Sequence, residues 1–217
     1  MQTYQKSFID LSLNNEVLKF GSFKLKSGRI SPYFFNAGLF CTGEAMHTLA
    51  KCYAQSIMDN GIKFDVIFGP AYKGIPLSAA IAMELYSQHD INVGYAYNRK
   101  EAKDHGEGGV LVGADMTHKK VLIVDDVITA GTAIVQSLGL LQESNATIVG
   151  VSLALDRQEK GLTSEKSAIQ EIQAKHGFPI LSIISMKNIM DYVGNNQAYQ
   201  EYMPKFSAYR EQYGVKD

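Results

Sequence analysis

The chain has 217 residues, enough for one α/β domain with a sizeable core, and its 46% apolar and 20% charged residues are ordinary for a soluble globular protein. A net charge of −1 gives no global pull toward nucleic acid or a membrane surface, so any anion binding must come from local clusters. No apolar run approaches the ~18 residues of a membrane span, Met1 to Lys6 lack the apolar core of a signal peptide, and Cys41 and Cys52 lack metal-ligand spacing. A cytoplasmic protein of a reducing compartment is expected.

Phe8, Leu11, Val17 and Leu18 set a loose amphipathic pattern that predicts a helix over residues 1–18. Phe20, Phe23 and Leu25 predict a strand ending near Lys26, and Lys26-Ser27-Gly28-Arg29 a turn. Ser31 to Gly38 is aromatic and β-prone. Adjacent strand residues face opposite ways, so at most one of Phe34 and Phe35 is simply core. Thr42 can cap a helix from Gly43 to about Asp59, with Ala45, Leu49, Ala50, Tyr53 and Ile57 on one stripe.

Phe64 to Gly69 reads as a buried strand and residues 75–88 as a helix, joined by the glycine-bounded loop Gly69-Pro70-Ala71-Tyr72-Lys73-Gly74. Lys73 is not at a P-loop spacing. The loop reads either as a pyrophosphate seat or as a connection carrying a solvated lysine. Ile91 to Asn98 is the next strand. Arg99 to Gly109 is rich in charge and glycine and has no apolar period, which predicts a mobile loop. It is either a solvated charged loop or a lid whose Arg99, Lys100, Lys103 and His105 close over a pyrophosphate. Gly108 to Gly113 is not a dinucleotide fingerprint, because it lacks a preceding strand and the glycine spacing.

Val121 to Val124 is an uninterrupted apolar run, the mark of a strand buried on both faces. Asp125 and Asp126 follow where that strand should end, then Val127, Ile128, Thr129, Ala130, Gly131, Thr132 and Ala133, and then a helical pattern over residues 134–141. Small residues let the backbone approach a phosphate, and a helix start presents unpaired N–H groups to it. The two carboxylates would repel that phosphate and suit instead the hydroxyls of a sugar diol. A Walker B strand would need a partner Gly-x-x-x-x-Gly-Lys-Ser/Thr loop, which is missing from the sequence.

Ala146 to Leu155 predicts another strand, with Asp156-Arg157-Gln158-Glu159 at its end. Arg157 there either grips a ligand carboxylate or forms a surface pair with Asp156. A helix from Ser164 to Lys175 with Glu165 in its first turn, a strand from Pro179 to Ile184, and short helices over Lys187 to Tyr192 and Gln197 to Tyr213 complete the chain. Strands alternating with helices imply a doubly wound, mainly parallel sheet with its ligand at the strands' C-terminal ends. The segments 69–74, 99–109, 125–133 and 156–157 all fall at those ends. Without repeats, low complexity or linkers, residues 1–217 read as a single domain with a small cap.

Val121 to Ala133 resembles the signature by which type I phosphoribosyltransferases bind 5-phospho-α-D-ribose 1-diphosphate (PRPP), and from about Tyr4 to Tyr213 the chain is similar to the bacterial orotate phosphoribosyltransferase family. The resemblance implies that family's fold, with a hood formed by about residues 1–40 and the C-terminal end. It implies transfer of ribose 5-phosphate from PRPP to orotate, giving orotidine 5′-phosphate and pyrophosphate in pyrimidine biosynthesis. Lys103, Asp125 and Asp126 are then the catalytic residues. Lys26, Tyr72, Lys73, Arg99, Lys100, Lys103, His105 and residues 125–133 bind PRPP. Lys26, Phe34, Phe35, Thr129 and Arg157 bind orotate. Mg²⁺ is expected mainly on PRPP oxygens and water, and the loop 99–109 is expected to act on the neighbouring subunit's site in a homodimer. No nucleic acid or membrane partner is expected. Two other readings are a phosphoribosyltransferase for a purine or uracil, and a PRPP-sensing regulator that binds RNA or DNA. The Arg99 to Gly109 segment and the lack of a basic patch argue against the regulator.

Overall fold

The computed structural model describes residues 1–103, 109–128 and 131–215, with Ala102 and Lys103 described by their backbone alone. In chain order they form α1 (Thr3–Asn14), β1 (Leu18–Lys24), β2 (Ile30–Phe35), α2 (Gly43–Asn60), β3 (Val66–Gly69), α3 (Gly74–His89), β4 (Gly94–Lys103), β5 (Gly109–Gly113), β6 (Lys120–Val127), α4 (Thr132–Glu143), β7 (Thr147–Asp156), α5 (Ala168–His176), β8 (Ile180–Ser185), α6 (Met186–Gly194) and α7 (Met203–Tyr213). None of these helices is long and apolar enough to cross a membrane.

The main sheet has the order β5-β4-β3-β6-β7-β8, in which only the β4–β5 pair is antiparallel. From β3 the chain winds outward through α3 to β4, then returns to the other side of β3 and winds the opposite way through β6, β7 and β8. The reversal lies between β3 and β6, and their C-terminal ends leave a crevice there. Alternation along each strand feeds two cores. Ile67, Leu122, Val124 and Ala154 pack with α2 and α3 on one face, and Val66, Phe68, Val121, Ile123, Val151 and Leu153 pack with α4 and α5 on the other. That two-sided burial is why Val121 to Val124 is apolar without a break.

Several boundaries differ from the sequence reading. The first helix stops at Asn14, and Val17 and Leu18 instead enter the core at the start of β1. Helix α2 begins as expected, with Thr42 Oγ1 accepting from Ala45 N–H at 3.2 Å, a cap worth about 1 kcal/mol. Helix α5 begins at Ala168 and not at Ser164, because Ser167 and Gln170 form a capping box; Glu165 pairs with Lys160 instead. The apolar stretch after Gly109 forms β5, preceded by β4 in a hairpin.

The largest correction concerns Arg99 to Gly109. Arg99 to Lys103 belong to β4 and Gly109 to β5, and His105 lies outside the described residues. β3 ends its pairing with β4 at Gly69 opposite Tyr97, so beyond that point β4 pairs with β5 alone. Past Leu111, which still packs against the core, the two-stranded ribbon has left the sheet, so its side chains show no apolar period although the ladder resumes, after a register shift, at Lys103 and Gly109.

β1 and β2 form a separate antiparallel hairpin that packs on the C-terminal segment. Phe20 lies against Tyr199, Tyr202 and Phe206, and Tyr33 stacks on Phe206 with ring centroids 5.6 Å apart.

Candidate active site

The crevice is built from two strand–turn–helix units. In the first, β3 runs into the Gly69–Gly74 loop, whose ends touch. A Cβ on Gly69 would stand 1.9 Å from the Gly74 carbonyl oxygen, so only paired glycines close this loop. Ala71 N–H donates to Asn98 Oδ1 at 3.0 Å, and the Lys100 ammonium sits 4.6 Å over the Tyr72 ring, which ties the loop to the β4 ribbon. Lys73 closes the loop and extends its ammonium across the crevice.

In the second unit, β6 does not end before the acid pair as expected. Asp125 pairs with Leu153 and Val127 with Leu155, because the longer β7 keeps offering ladder partners. As neighbours in a strand, the two carboxylates leave on opposite sides. Asp126 lies on the side of Leu122 and Val124, and its Oδ2 accepts from Lys73 Nζ at 2.6 Å while its Oδ1 takes Val127 N–H at 2.9 Å. Asp125 Oδ1 takes the Asp126 N–H at 2.9 Å, and its backbone carbonyl accepts from the Tyr53 hydroxyl at 2.7 Å. Burial, with the Asp126 carboxylate beside it, pushes the Asp125 carboxyl up to about 7. Desolvating two adjacent acids is costly unless a ligand or cation compensates.

Ile128 is buried, and Gly131, in the left-handed region at φ 73°, is the N-cap of α4. Thr132 and Ala133, both exposed, open that helix, and its N-cap glycine offers no side-chain cap. Thr129 and Ala130 lie outside the described residues. A cleft of about 150 Å³ runs beneath the Lys73–Asp126 pair, lined also by Tyr53, Leu77, Phe40 and Gly38. A larger groove of about 410 Å³ lies elsewhere, along Lys160, Met190 and α7, and contains none of the expected site residues.

The remaining expected residues sit on the hairpin side. Leu155 pairs with Val127, so Arg157 emerges just past the level of the acid pair. It does not form the surface pair with Asp156. Its side chain is 13% exposed, and its guanidinium bonds Glu159 at 2.6 Å and lies 4.5 Å over the Tyr33 ring. Asp156 instead accepts from Gln158 N–H at 2.8 Å. Phe34 is 41% exposed and contacts Phe23, whereas Phe35 packs inward against Phe8, which matches the opposite-faces argument. Lys26 is exposed in the hairpin turn closed by Gly28 N–H to the Leu25 carbonyl at 2.9 Å. Arg99 is half-buried and Lys100 exposed on β4, and the Lys103 side chain is not among those described.

The structure therefore joins Lys73 to Asp126 and Lys100 to Tyr72 directly, and brings Arg157 to the same edge of the sheet. It also adds residues that the sequence did not single out for the site. Tyr53 read as core, and nothing in a helical stripe marks a hydroxyl aimed at a strand end. Asn98 and Glu159 carried a weak signal as polar residues just past buried strands.

The chain's likeness to known proteins agrees with this geometry. A family described as "Phosphoribosyl transferase domain" matches residues 42–180. The chain is 52% identical over 216 residues to the orotate phosphoribosyltransferase of Stutzerimonas stutzeri, covering 99% of this chain and 100% of that protein. The orotate phosphoribosyltransferase of Aeromonas salmonicida is 52% identical over 219 residues, with 99% and 100% covered. The crystal structure of orotate phosphoribosyltransferase from Francisella tularensis superposes with a TM-score of 0.88 at 51% identity, over 96% of this chain and 99% of that one. A crevice at the β3–β6 reversal, a family match over most of the sheet and full-length relatives at half identity lead to one conclusion: this chain belongs to the phosphoribosyltransferases, within the orotate phosphoribosyltransferase family.

Proposed function

We propose that the β3–β6 crevice binds PRPP, that orotate enters from the Arg157 side, and that C1′ of the ribose passes from pyrophosphate to N1 of orotate. The observation that supports this best is the acid pair Asp125–Asp126 set between the open N-terminus of α4 and the Lys73 ammonium. One ligand with a terminal phosphate, a sugar diol and a pyrophosphate meets all three.

The bond from C1′ to the pyrophosphate oxygen breaks with its electron pair on oxygen, the C1′–N1 bond forms, and the proton of orotate N1 passes to the departing pyrophosphate or to water. Such a displacement passes through an oxocarbenium-like ring. Asp125 and Asp126 accept hydrogen bonds from the ribose hydroxyls, and their charge favours the cationic ring. The turn from Val127 to Ala133 holds the 5′-phosphate on backbone N–H groups. Tyr72, Lys73, Arg99 and Lys100, with Lys26, Lys103 and His105, face the pyrophosphate, where cations offset the charge that grows as it leaves. Arg157 grips the orotate carboxylate, and Lys26, Phe34, Phe35 and Thr129 complete the base side. The β1–β2 hairpin with the C-terminal segment forms a hood over the base.

The donor chemistry suits Mg²⁺, a hard cation that prefers phosphate oxygens, carboxylates and water. Asp126 Oδ2 is taken by Lys73 and its Oδ1 by Val127 N–H, so Asp125 would be the carboxylate open to the ion, which would otherwise be held by PRPP oxygens and water. Held in this way, the ion would supply neutralisation of the pyrophosphate charge.

The chain works as a twofold homodimer whose Lys103 reaches the partner's site. Met83 and Tyr86, 71% and 60% exposed and one helical turn apart on α3, support an apolar face for a second copy. Mixing Lys103→Ala protein with the Asp125→Asn/Asp126→Asn double variant under subunit exchange should restore about a quarter of wild-type activity, since half the dimers then carry one whole site of two. No recovery would place Lys103 in its own chain's site. For the reaction itself, the purified protein with PRPP and Mg²⁺ should consume the ultraviolet absorbance of orotate. Turnover of hypoxanthine or uracil without turnover of orotate overturns the assignment.

A further inference from the structure

Beside the crevice lies a nearly buried group that the reaction as described does not use: Arg29, Glu159 and the phenols of Tyr33 and Tyr209. Glu159 sits two residues past Arg157, and both side chains are 13% exposed. Its Oε1 accepts from Arg157 Nη2 at 2.6 Å, and its Oε2 stands 3.9 Å from Arg29 Nη1. Arg29 is itself fixed, donating to the carbonyls of Lys160 at 2.8 Å and Gly161 at 3.0 Å and stacking 4.7 Å over Tyr213. The backbone of Glu159 is pinned by a β-bridge to Gly214, and Lys160 N–H reaches the Tyr213 carbonyl at 2.8 Å. The carboxylate is thus held from its backbone and from Arg29 before it meets Arg157.

Arg157 has four rotatable side-chain bonds, and a carboxylate ligand needs its guanidinium in one plane and one rotation. The Tyr33 ring beneath it sets the plane. Glu159 sets the rotation by taking one Nη2 proton. The other Nη2 proton makes only a long 3.4 Å contact to Ser31 Oγ, and the Tyr209 phenol stands beside both the guanidinium and Glu159. Glu159 thus takes one donor and leaves the rest of the guanidinium to other partners. A glutamate that competed with the ligand would take the guanidinium's donors in pairs, which this single bond does not.

We propose that Glu159, steadied by Arg29, is the positioning residue that presents Arg157 to the carboxylate of orotate, an inference that rests on the reading of Arg157 given above. The test is a double-variant cycle read as KM for each substrate. Glu159→Gln should raise the orotate KM about tenfold, the worth of one charge-assisted contact, and leave the PRPP KM unchanged. In the Arg157→Ala background the same substitution should add nothing, because Glu159 acts only through Arg157. If Glu159→Gln does not fold, Glu159→Asp, which keeps the charge but retracts it by one methylene, carries the same measurement with a smaller rise expected. An orotate KM that stays flat or falls overturns the proposal, as does an equal rise for both substrates or an effect that persists without Arg157. If Arg157→Ala itself leaves the orotate KM unchanged, the base-site reading fails and this inference with it. A raised KM in Arg157→Ala with none in Glu159→Gln removes this inference alone.

Discussion

Two ion pairs at the same edge of the sheet have the same 2.6 Å separation and different surroundings. In Lys73–Asp126 the lysine side chain is 54% exposed and the aspartate 10%. In Arg157–Glu159 both partners are 13% exposed, with an aromatic ring under the guanidinium and a second arginine behind the carboxylate. Distance alone would rank them equal. The lysine is a hydrated point charge on a flexible stem in a six-residue loop, suited to leave Asp126 when a phosphate arrives. The arginine is planar, stacked and pinned, suited to read one carboxylate in one orientation. In the function proposed above, the Lys73 corner would be a wet seat for a phosphate that arrives and departs, and the Arg157 corner a preset grip for the base.

The largest effect expected of that contrast falls on the acid pair. On the proposed function, Asp125→Asn with Asp126→Asn would remove both acceptors for the ribose hydroxyls and the charge that favours the cationic ring. Turnover per PRPP bound should drop on the order of 10²-fold or more. Steady-state assays with saturating orotate measure this, and a drop confined to the orotate KM would mean that the acids face the base.

Arg157→Ala comes next. Losing a charge-assisted grip on the orotate carboxylate should cost roughly 1.5–3 kcal/mol, a ten- to hundredfold rise in orotate Kd. PRPP affinity should stay as it was. Equal losses by isothermal titration would erase the division between the two corners.

How much of this was legible beforehand differs between the corners for a physical reason. On the phosphate side the signal is local. Val121 to Val124, two acids, and a run of small residues before a helix lie consecutively, and each residue type reports its own backbone need. The placing of β6 and α4 was visible in that run. The end of β6 was misjudged because its extension through Val127 depends on the length of β7, which is far away in sequence. On the base side the signal is spread out. Arg157 meets Tyr33 and Ser31 from a hairpin more than a hundred residues earlier, and Glu159 is held by Arg29 and Gly214. Nothing within Asp156 to Glu159 says which neighbour will arrive. The β4–β5 ribbon escaped notice because pattern reading detects a core face, and the ribbon has none.

A smaller effect should appear in stability against pH. The folded-state value of the Asp125 carboxyl is raised above its unfolded one, chiefly by burial and then by Asp126. The folded state then holds a proton that the unfolded state has released. This group's contribution is complete below the ordinary carboxylate range and is lost as pH rises through about 7. Asp125→Asn removes the dependence. Its unfolding free energy relative to wild type should therefore climb between pH 5 and pH 8, on the order of 1–2 kcal/mol after allowance for solvent. A constant difference across that range would show that Asp125 titrates as an ordinary surface acid.

The smallest effect tests the wet corner directly. Lys73 is mostly in solvent, so its bond to Asp126 is screened and must also offset the entropy of holding a long side chain. Lys73→Met should change stability by no more than about 1 kcal/mol, and added salt should shrink the difference further. Its PRPP KM should rise, because the lysine's role is with the ligand and not with the fold. A stability loss of several kcal/mol, insensitive to salt, would mean that Asp126 needs Lys73 as a buried charge needs its partner. The two ion pairs would then be the same kind of object, and the division between a corner that yields and a corner that holds would have no physical basis.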